Sequence, residues 1–240
     1  MNASEEQERE SSEWNVRELS AGEFDALSAA SEYGGFQQTS EMAALAQSEG
    51  MQTQYVGLVD SHDVPVAGAL VAFSQGRFGV EGSLWLGPLC NGNDGEQMTA
   101  LTDGLREVAE RVHAISLTCW PNQVYCVRDS QGKVMAEPND EMVREYERLG
   151  WKHAGFARGY GALMNRWNYV KDLRELSNAG ELLASYAKNT RRNVKIARNS
   201  GVEVRRLNRS ELNVFHDICE LSSERQHFVN RSLDYFERVY

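Results

Sequence analysis

The 240-residue sequence predicts an α/β fold of the α+β kind, a mixed sheet with flanking helices, and three observations lead there. Two apolar, β-rich runs, Thr53–Asp60 and Val64–Phe73, are separated only by Ser61-His62-Asp63, which is the spacing of a hairpin. Residues 94–112 place Met98, Leu101, Leu105, Val108 and Val112 at helical spacing, and Ala114–Trp120 then reads as a buried strand. A content of 41% hydrophobic residues, with five Trp, nine Tyr and eight Phe, is ample for a packed core, and only four Pro argue against long disordered linkers.

Taken in order, residues 1–13 are polar, acidic and without periodicity, as in a disordered leader. Trp14, Val16 and Leu19 predict a short strand, and Ser20 with Glu23 forms a capping box for a short helix carrying Phe24 and Leu27. Ser40 to Leu45 opens a second capped helix. Phe78–Leu86 adds a third strand to the hairpin and completes an antiparallel meander. After the helix of 94–112 and the strand that follows it, Glu141–Leu149 predicts a helix stopped by Gly150, and Trp151–Phe156 a further strand. This layout, an antiparallel start with a later helical crossover, fits an acetyltransferase-like (GNAT-like) domain over residues 14–165.

A second unit opens at residues 166–240. Asn178 and Glu181 offer a capping box for a helix through Leu182, Leu183 and Tyr186. Another helix runs from about Arg191 to Asn199 with Gly201 at its end, and Val202–Leu207 predicts a strand. Leu212, Phe215, Ile218 and Cys219 mark the buried stripe of the next helix. Leu233, Phe236, Val239 and Tyr240 begin a last apolar face behind an N-cap at Ser232.

Several function classes are excluded or lack support. No run approaches the roughly 18 apolar residues that cross a bilayer, and the acidic start is unlike a signal peptide, so a cytoplasmic location is expected. Cys90, Cys119, Cys126 and Cys219 form no C-x-x-C pair and have no metal-ligand spacing with His, which predicts reduced, mostly buried thiols and no metal site. There is no G-x-S-x-G elbow, Walker loop or H-E-x-x-H, and Gly155 to Gly161 is a poor dinucleotide fingerprint. His113, His153, His216 and His227 have no orienting partner in the sequence, so no catalytic residue is assigned.

Charge is distributed unevenly. The net −10 divides into −14 over residues 1–165 and +4 over 166–240, and residues 188–209 hold eight basic side chains against one acid, Glu203. On a helix, Lys188, Arg191, Lys195 and Arg198 share a stripe that Arg192 flanks, while Val194 and Ala197 turn away. A solvated helix surface is one reading. Five cations without interleaved acids repel one another, however, so a phosphate or tRNA contact is the other. Arg231 and Tyr235 form a second candidate pair, spaced to share a face beside Ser232.

Phe36-Gln37-Gln38-Thr39-Ser40-x-Met42-Ala43, then Gly87-Pro88 after a strand, then Leu149-Gly150-Trp151 resemble, in this order, segments of the Fem-type (FemABX/MurM-like) peptidoglycan aminoacyltransferases. The most specific stretch is Leu182-Leu183-x-x-Tyr186 followed by Lys188-x-Thr190-Arg191-Arg192-Asn193-x-Lys195-x-Ala197 and Gly201-Val202. Phe215 and Arg231-x-x-x-Tyr235-Phe236 continue it, so the resemblance spans about residues 15–240.

The resemblance implies two acetyltransferase-like domains and transfer of an amino acid from aminoacyl-tRNA to an amine of a peptidoglycan precursor, without a cofactor. Arg231 falls where the family has an arginine that contacts the precursor diphosphate, and Tyr235 where it has a tyrosine of the acceptor site. Ala44, Leu45, Ala46 and Gln47 stand where one type has a diphosphate-binding lysine, which turns the expectation toward a lipid-linked precursor and peripheral membrane association. Family members run well beyond 240 residues, so the second domain is expected to be incomplete and the isolated chain inactive. Two other functions stay open: a nucleic-acid-binding module using residues 188–209, and an acetyl-CoA-dependent N-acetyltransferase, for which no pyrophosphate loop is found.

Overall fold

The computed structural model describes residues 14–90, 95–155 and 167–240. The acidic leader and the expected domain boundary between residues 165 and 166 lie outside the described residues. The chain divides into two compact units, residues 1–154 and 155–240.

The first unit is built on a five-stranded sheet, β1 (Asn15–Glu18), β2 (Gln52–Val59), β3 (Pro65–Gln75), β4 (Val80–Trp85) and β5 (Ala114–Trp120), hydrogen-bonded in that order. The first four strands are antiparallel neighbours, and β5 joins β4 in parallel, with Val80 opposite Ala114 and Trp85 opposite Trp120. A parallel partner requires a crossover, which α3 (Gly95–Arg111) supplies. Helices α1 (Ala21–Ala30) and α2 (Ser40–Ser48) fill the connection from β1 to β2.

Side-chain parity along β3 shows how the layers form. Ala67, Ala69, Val71 and Phe73 join Val56, Leu58 and Leu84 in one cluster with Leu101, Leu105 and Val108 of α3. Leu70 belongs to a second cluster with Phe24 of α1, Ala43 of α2, Leu19 and Leu89. Successive strand residues point to opposite faces, so the sheet lies between α3 and the α1–α2 pair. Every β3 residue from Ala67 to Phe73 is buried, as expected of a central strand covered on both faces.

Local signals explain the helix ends. Ser20 Oγ accepts from Glu23 N at 3.3 Å while Ser20 N donates to Glu23 Oε2 at 2.8 Å, the reciprocal pair that the sequence predicts. Thr39 caps α2 through Met42 N, and Ser40 donates its N–H and hydroxyl to the Asp25 carboxylate, tying α2 to α1. Helix α4 (Asp140–Arg148) ends where Gly150, at φ 87°, lets the Trp151 N–H turn back to Tyr146 O at 3.1 Å.

That helix ending corrects one expectation. Residues 151–155 are not a strand, because the Trp151 backbone closes α4 and no strand among the described residues pairs with them; Phe156 lies outside the described residues. The Trp151 indole packs on the α3 cluster and donates to Thr102 Oγ1 at 3.4 Å. A small ribbon of β6 (Val127–Arg128) and β7 (Val134–Ala136), which the sequence does not predict, lies between β5 and α4.

The second unit is helical among its described residues: α5 (Ala179–Ala184), α6 (Lys188–Asn199), α7 (Leu212–Gln226) and α8 (Leu233–Val239), with a 3-10 turn at Arg209–Glu211. The strand expected over Val202–Leu207 is absent. The Val202 N–H closes α6 by donating to Ala197 O at 3.1 Å, and Val204, 97% exposed, has no strand beside it among the described residues. Alternating apolar residues make a strand only when a neighbour takes up their backbone groups.

One buried side chain links these parts of the first unit. Gln38 is fully buried; its Oε1 accepts from Leu70 N at 2.9 Å, and its Nε2 donates to Trp85 O at 2.8 Å. Gly87 leaves the room for this, since a Cβ there would meet the Gln38 amide at 2.9 Å. Gln38→Met keeps much of the volume and strands two buried backbone groups, so it is expected to cost about 2 to 4 kcal/mol in chemical denaturation. A loss under about 0.5 kcal/mol would show that the amide is not a structural tie.

Candidate functional site

The most distinctive charged surface is built by α5 and α6. Asn178 Oδ1 accepts from Glu181 N at 3.0 Å, and Glu181 reaches back to Ser177 N at 2.8 Å, one residue before the cap, fixing the start of α5. Helix α6 begins at Lys188, earlier than the expected Arg191, and no acid lies in its first turn. Val194 and Ala197 are half-buried while Lys188, Arg191, Arg192, Lys195 and Arg198 are all exposed, so packing orients the helix with its cations outward.

These five residues are not equivalent. Arg191 Nη1 donates to Ala184 O at 2.9 Å and to Tyr186 O at 2.8 Å, covering carbonyls that α5 leaves open at its end. Lys188, Arg192, Lys195 and Arg198 pair with no acid among the described residues. Elsewhere in the same unit three arginines are paired, Arg174 with Asp172, Arg205 with Glu211 and Arg238 with Asp234, while Arg206, Arg209 and Arg225 have no ion pair among the described residues. The Arg205 guanidinium, with the Asn208 N–H, holds the Glu211 carboxyl down at about 2. Arg205, part of the basic stretch, is therefore a structural partner.

The second candidate pair is brought together. The Arg231 guanidinium carbon lies 4.9 Å from the centre of the Tyr235 ring, an attraction worth about 0.5 to 1 kcal/mol at an exposed site. Ser232 Oγ accepts from Tyr235 N at 3.2 Å, and the Asn230 side chain donates to Glu220 of α7 at 2.9 Å while accepting from Arg231 N. Phe236 meets Phe215 edge-on at 5.2 Å, joining α8 to α7. The polar lock through Asn230 and Glu220 is invisible in the sequence, because only the fold brings those residues together.

No group of three or more His, Cys, Asp or Glu side chains among the described residues is placed to hold a metal ion. Burial pushes the Cys119 thiol up to about 12, which leaves it a protonated core group rather than a nucleophile.

The FemAB family profile matches residues 19–240, covering β2 to β5 of the sheet, α6 and the Arg231–Tyr235 pair. The chain belongs to the FemAB family. Aminoacyltransferase FemA of Staphylococcus aureus (strain MRSA252) is 25% identical over 225 residues, 89% of this chain and 51% of that protein. Lipid II:glycine glycyltransferase of Staphylococcus aureus (strain bovine RF122 / ET3-1) is 27% identical over 147 residues, 60% of this chain and 32% of that one. The crystal structure of FemX superposes with a TM-score of 0.74 at 21% identity, over 94% of this chain and 54% of that one, which shows a common fold. The chain spans about half the length of FemA. No described helix is long and apolar enough to cross a membrane.

The division of labour on α6 is testable. Arg191→Ala is expected to raise hydrogen exchange across residues 181–199, by the equivalent of about 0.5 to 1.5 kcal/mol of local stability. Lys195→Gln, in contrast, should leave exchange there unchanged.

Proposed function

We propose that the whole protein transfers an amino acid from aminoacyl-tRNA to an amine of a peptidoglycan precursor, in the formation of interpeptide bridges. The observation that carries this reading is a FemAB match that runs through a helix face of four cations without acidic partners among the described residues. A polyanion at that face offsets the mutual repulsion of the cations, and tRNA supplies one phosphate per nucleotide. Lys188, Arg192, Lys195 and Arg198 bind it in this reading, with Arg191 holding the helix in place.

The acceptor is lipid-linked, in keeping with the relative whose name gives lipid II. Arg231 takes a phosphate of the precursor, since guanidinium binds phosphate in a bidentate manner, and Tyr235 supports the guanidinium from below. The protein works in the cytoplasm, in peripheral contact with the membrane that holds such a precursor. Residues 166–240 open a second acetyltransferase-like domain.

The chemistry is an exchange of acyl partners. The neutral amine attacks the ester carbonyl, the C–N bond forms, the C–O bond to tRNA breaks, and the proton lost by the amine ends on the departing hydroxyl. An ester is already activated, so the reaction draws on no cofactor, and the main tasks of the protein are positioning and oxyanion stabilisation.

Given tRNA charged with a labelled amino acid and a lipid-linked precursor, the whole protein is expected to move label into an alkali-stable amide. Binding of tRNA without amide formation would make it a binding module. Acetyl transfer from acetyl-CoA would replace the reading altogether.

A further inference from the structure

The turn between α7 and α8 carries two apolar side chains next to one another in solvent: Phe228 is 51% exposed and Val229 95%. Apolar residues scattered singly over a surface need no explanation, but an adjacent aromatic and β-branched pair at a turn, where polar residues are usual, does. The turn is tied down on both sides of the pair. His227 enters the left-handed region at φ 59° and ends α7, and the Phe228 N–H then donates to Ser223 O at 3.2 Å. Past Val229, the Asn230 side chain bridges Glu220 of α7 and the Arg231 N–H. Both ends of the turn are therefore fixed to α7, and its apolar tip stands in water on a set frame.

The tip lies between two cations. From Arg225 to Ser232 the sequence runs Arg-Gln-His-Phe-Val-Asn-Arg-Ser, without an acid. Arg225 is exposed and has no ion pair among the described residues, and Arg231, also exposed, holds its guanidinium over the Tyr235 ring. The acids that flank this stretch are Glu224 and Asp234, and Asp234 is paired with Arg238. An apolar tip between two arginines suits the boundary of a bilayer: apolar groups pass below the headgroups, while long cationic side chains stay at the level of the lipid phosphates. A polynucleotide would use the cations and leave Val229 in water.

We propose that the α7–α8 turn is a membrane contact, with Phe228 and Val229 entering the headgroup boundary of an anionic bilayer and Arg225 at its phosphates. This deepens the proposed function and rests on it: the contact brings the Arg231–Tyr235 pair to the depth at which the phosphate of a lipid-linked acceptor lies. Two apolar side chains and their flanking cations give reversible binding rather than permanent anchoring.

The test sediments the full chain with sucrose-loaded vesicles of phosphatidylglycerol and phosphatidylcholine in equal parts. Wild type should bind these vesicles, and should bind pure phosphatidylcholine vesicles at least about threefold more weakly. Val229→Asp should weaken binding about tenfold or more, and Val229→Trp should strengthen it about threefold or more. The Val229 side chain is 95% exposed, so neither substitution disturbs packing.

No binding of wild type, equal binding by wild type and both Val229 variants, or equal binding to the two kinds of vesicle overturns the contact. Vesicle binding that depends on Val229, in a protein without aminoacyl transfer, keeps the contact and removes the transferase reading. Aminoacyl transfer to a lipid-linked acceptor, with vesicle binding indifferent to Val229, does the reverse.

Discussion

The buried amide of Gln38 makes two bonds that the sheet cannot make for itself. It takes up the Leu70 N–H in the middle of β3 and the Trp85 carbonyl at the end of β4, joining the segment before α2 to the sheet's central strand and to the start of the Gly87-Pro88 turn. The chain then returns to the sheet, where Leu89 and Gly68 exchange backbone bonds at 2.8 and 2.9 Å and Cys90 enters the core cluster. The carboxyl ends of β4 and β5, and the loops that carry Asn122 and Gln123, are built outward from this point. An unpaired buried amide is costly and a fully paired one rigidifies its surroundings, so the geometry at this end of the sheet depends on Gln38 finding both partners.

Much of this architecture is legible in the sequence because it is local. The capping box of Ser20 and Glu23, the 3.6-residue period of α3 and the glycine stops at 150 and 201 each report on a few neighbouring residues, and each is found. What the sequence hides is long-range pairing. Val202–Leu207 has the apolar alternation of a strand and no neighbour to pair with, and Trp151 uses its N–H to finish a helix. Gln38 could be noted only as part of a familiar motif, since its partners lie 32 and 47 residues away. The candidate site divides in the same way. The cation stripe is visible from spacing alone, whereas the turn of Arg191 onto the Ala184 and Tyr186 carbonyls, and the stacking of Arg231 on Tyr235, need the fold.

Cations of the second unit are paired in some places and gathered without acids in another. Arg174, Arg205 and Arg238 each have a carboxylate within reach, while Lys188, Arg192, Lys195 and Arg198 share one side of a helix without any among the described residues. Half-burial of Val194 and Ala197 orients that side outward, and Arg191 fixes the helix to its predecessor, so the charges are displayed on a set frame. Under the proposed function this face takes the polyanionic co-substrate, and the Arg231–Tyr235 pair takes a phosphate of the acceptor.

The salt dependence of tRNA affinity tests this account most directly. Each phosphate neutralised by a protein cation releases counterions, so replacing Lys188, Arg192, Lys195 and Arg198 together by Gln should lower affinity and flatten the log–log slope by about 0.7 to 0.9 for each phosphate no longer neutralised. Arg191 is left intact, so the helix keeps its place. A slope reduced by about two or more is the expected result. An unchanged slope, with α6 still folded, would show that the four cations form a solvated surface and that any tRNA the protein binds is held elsewhere.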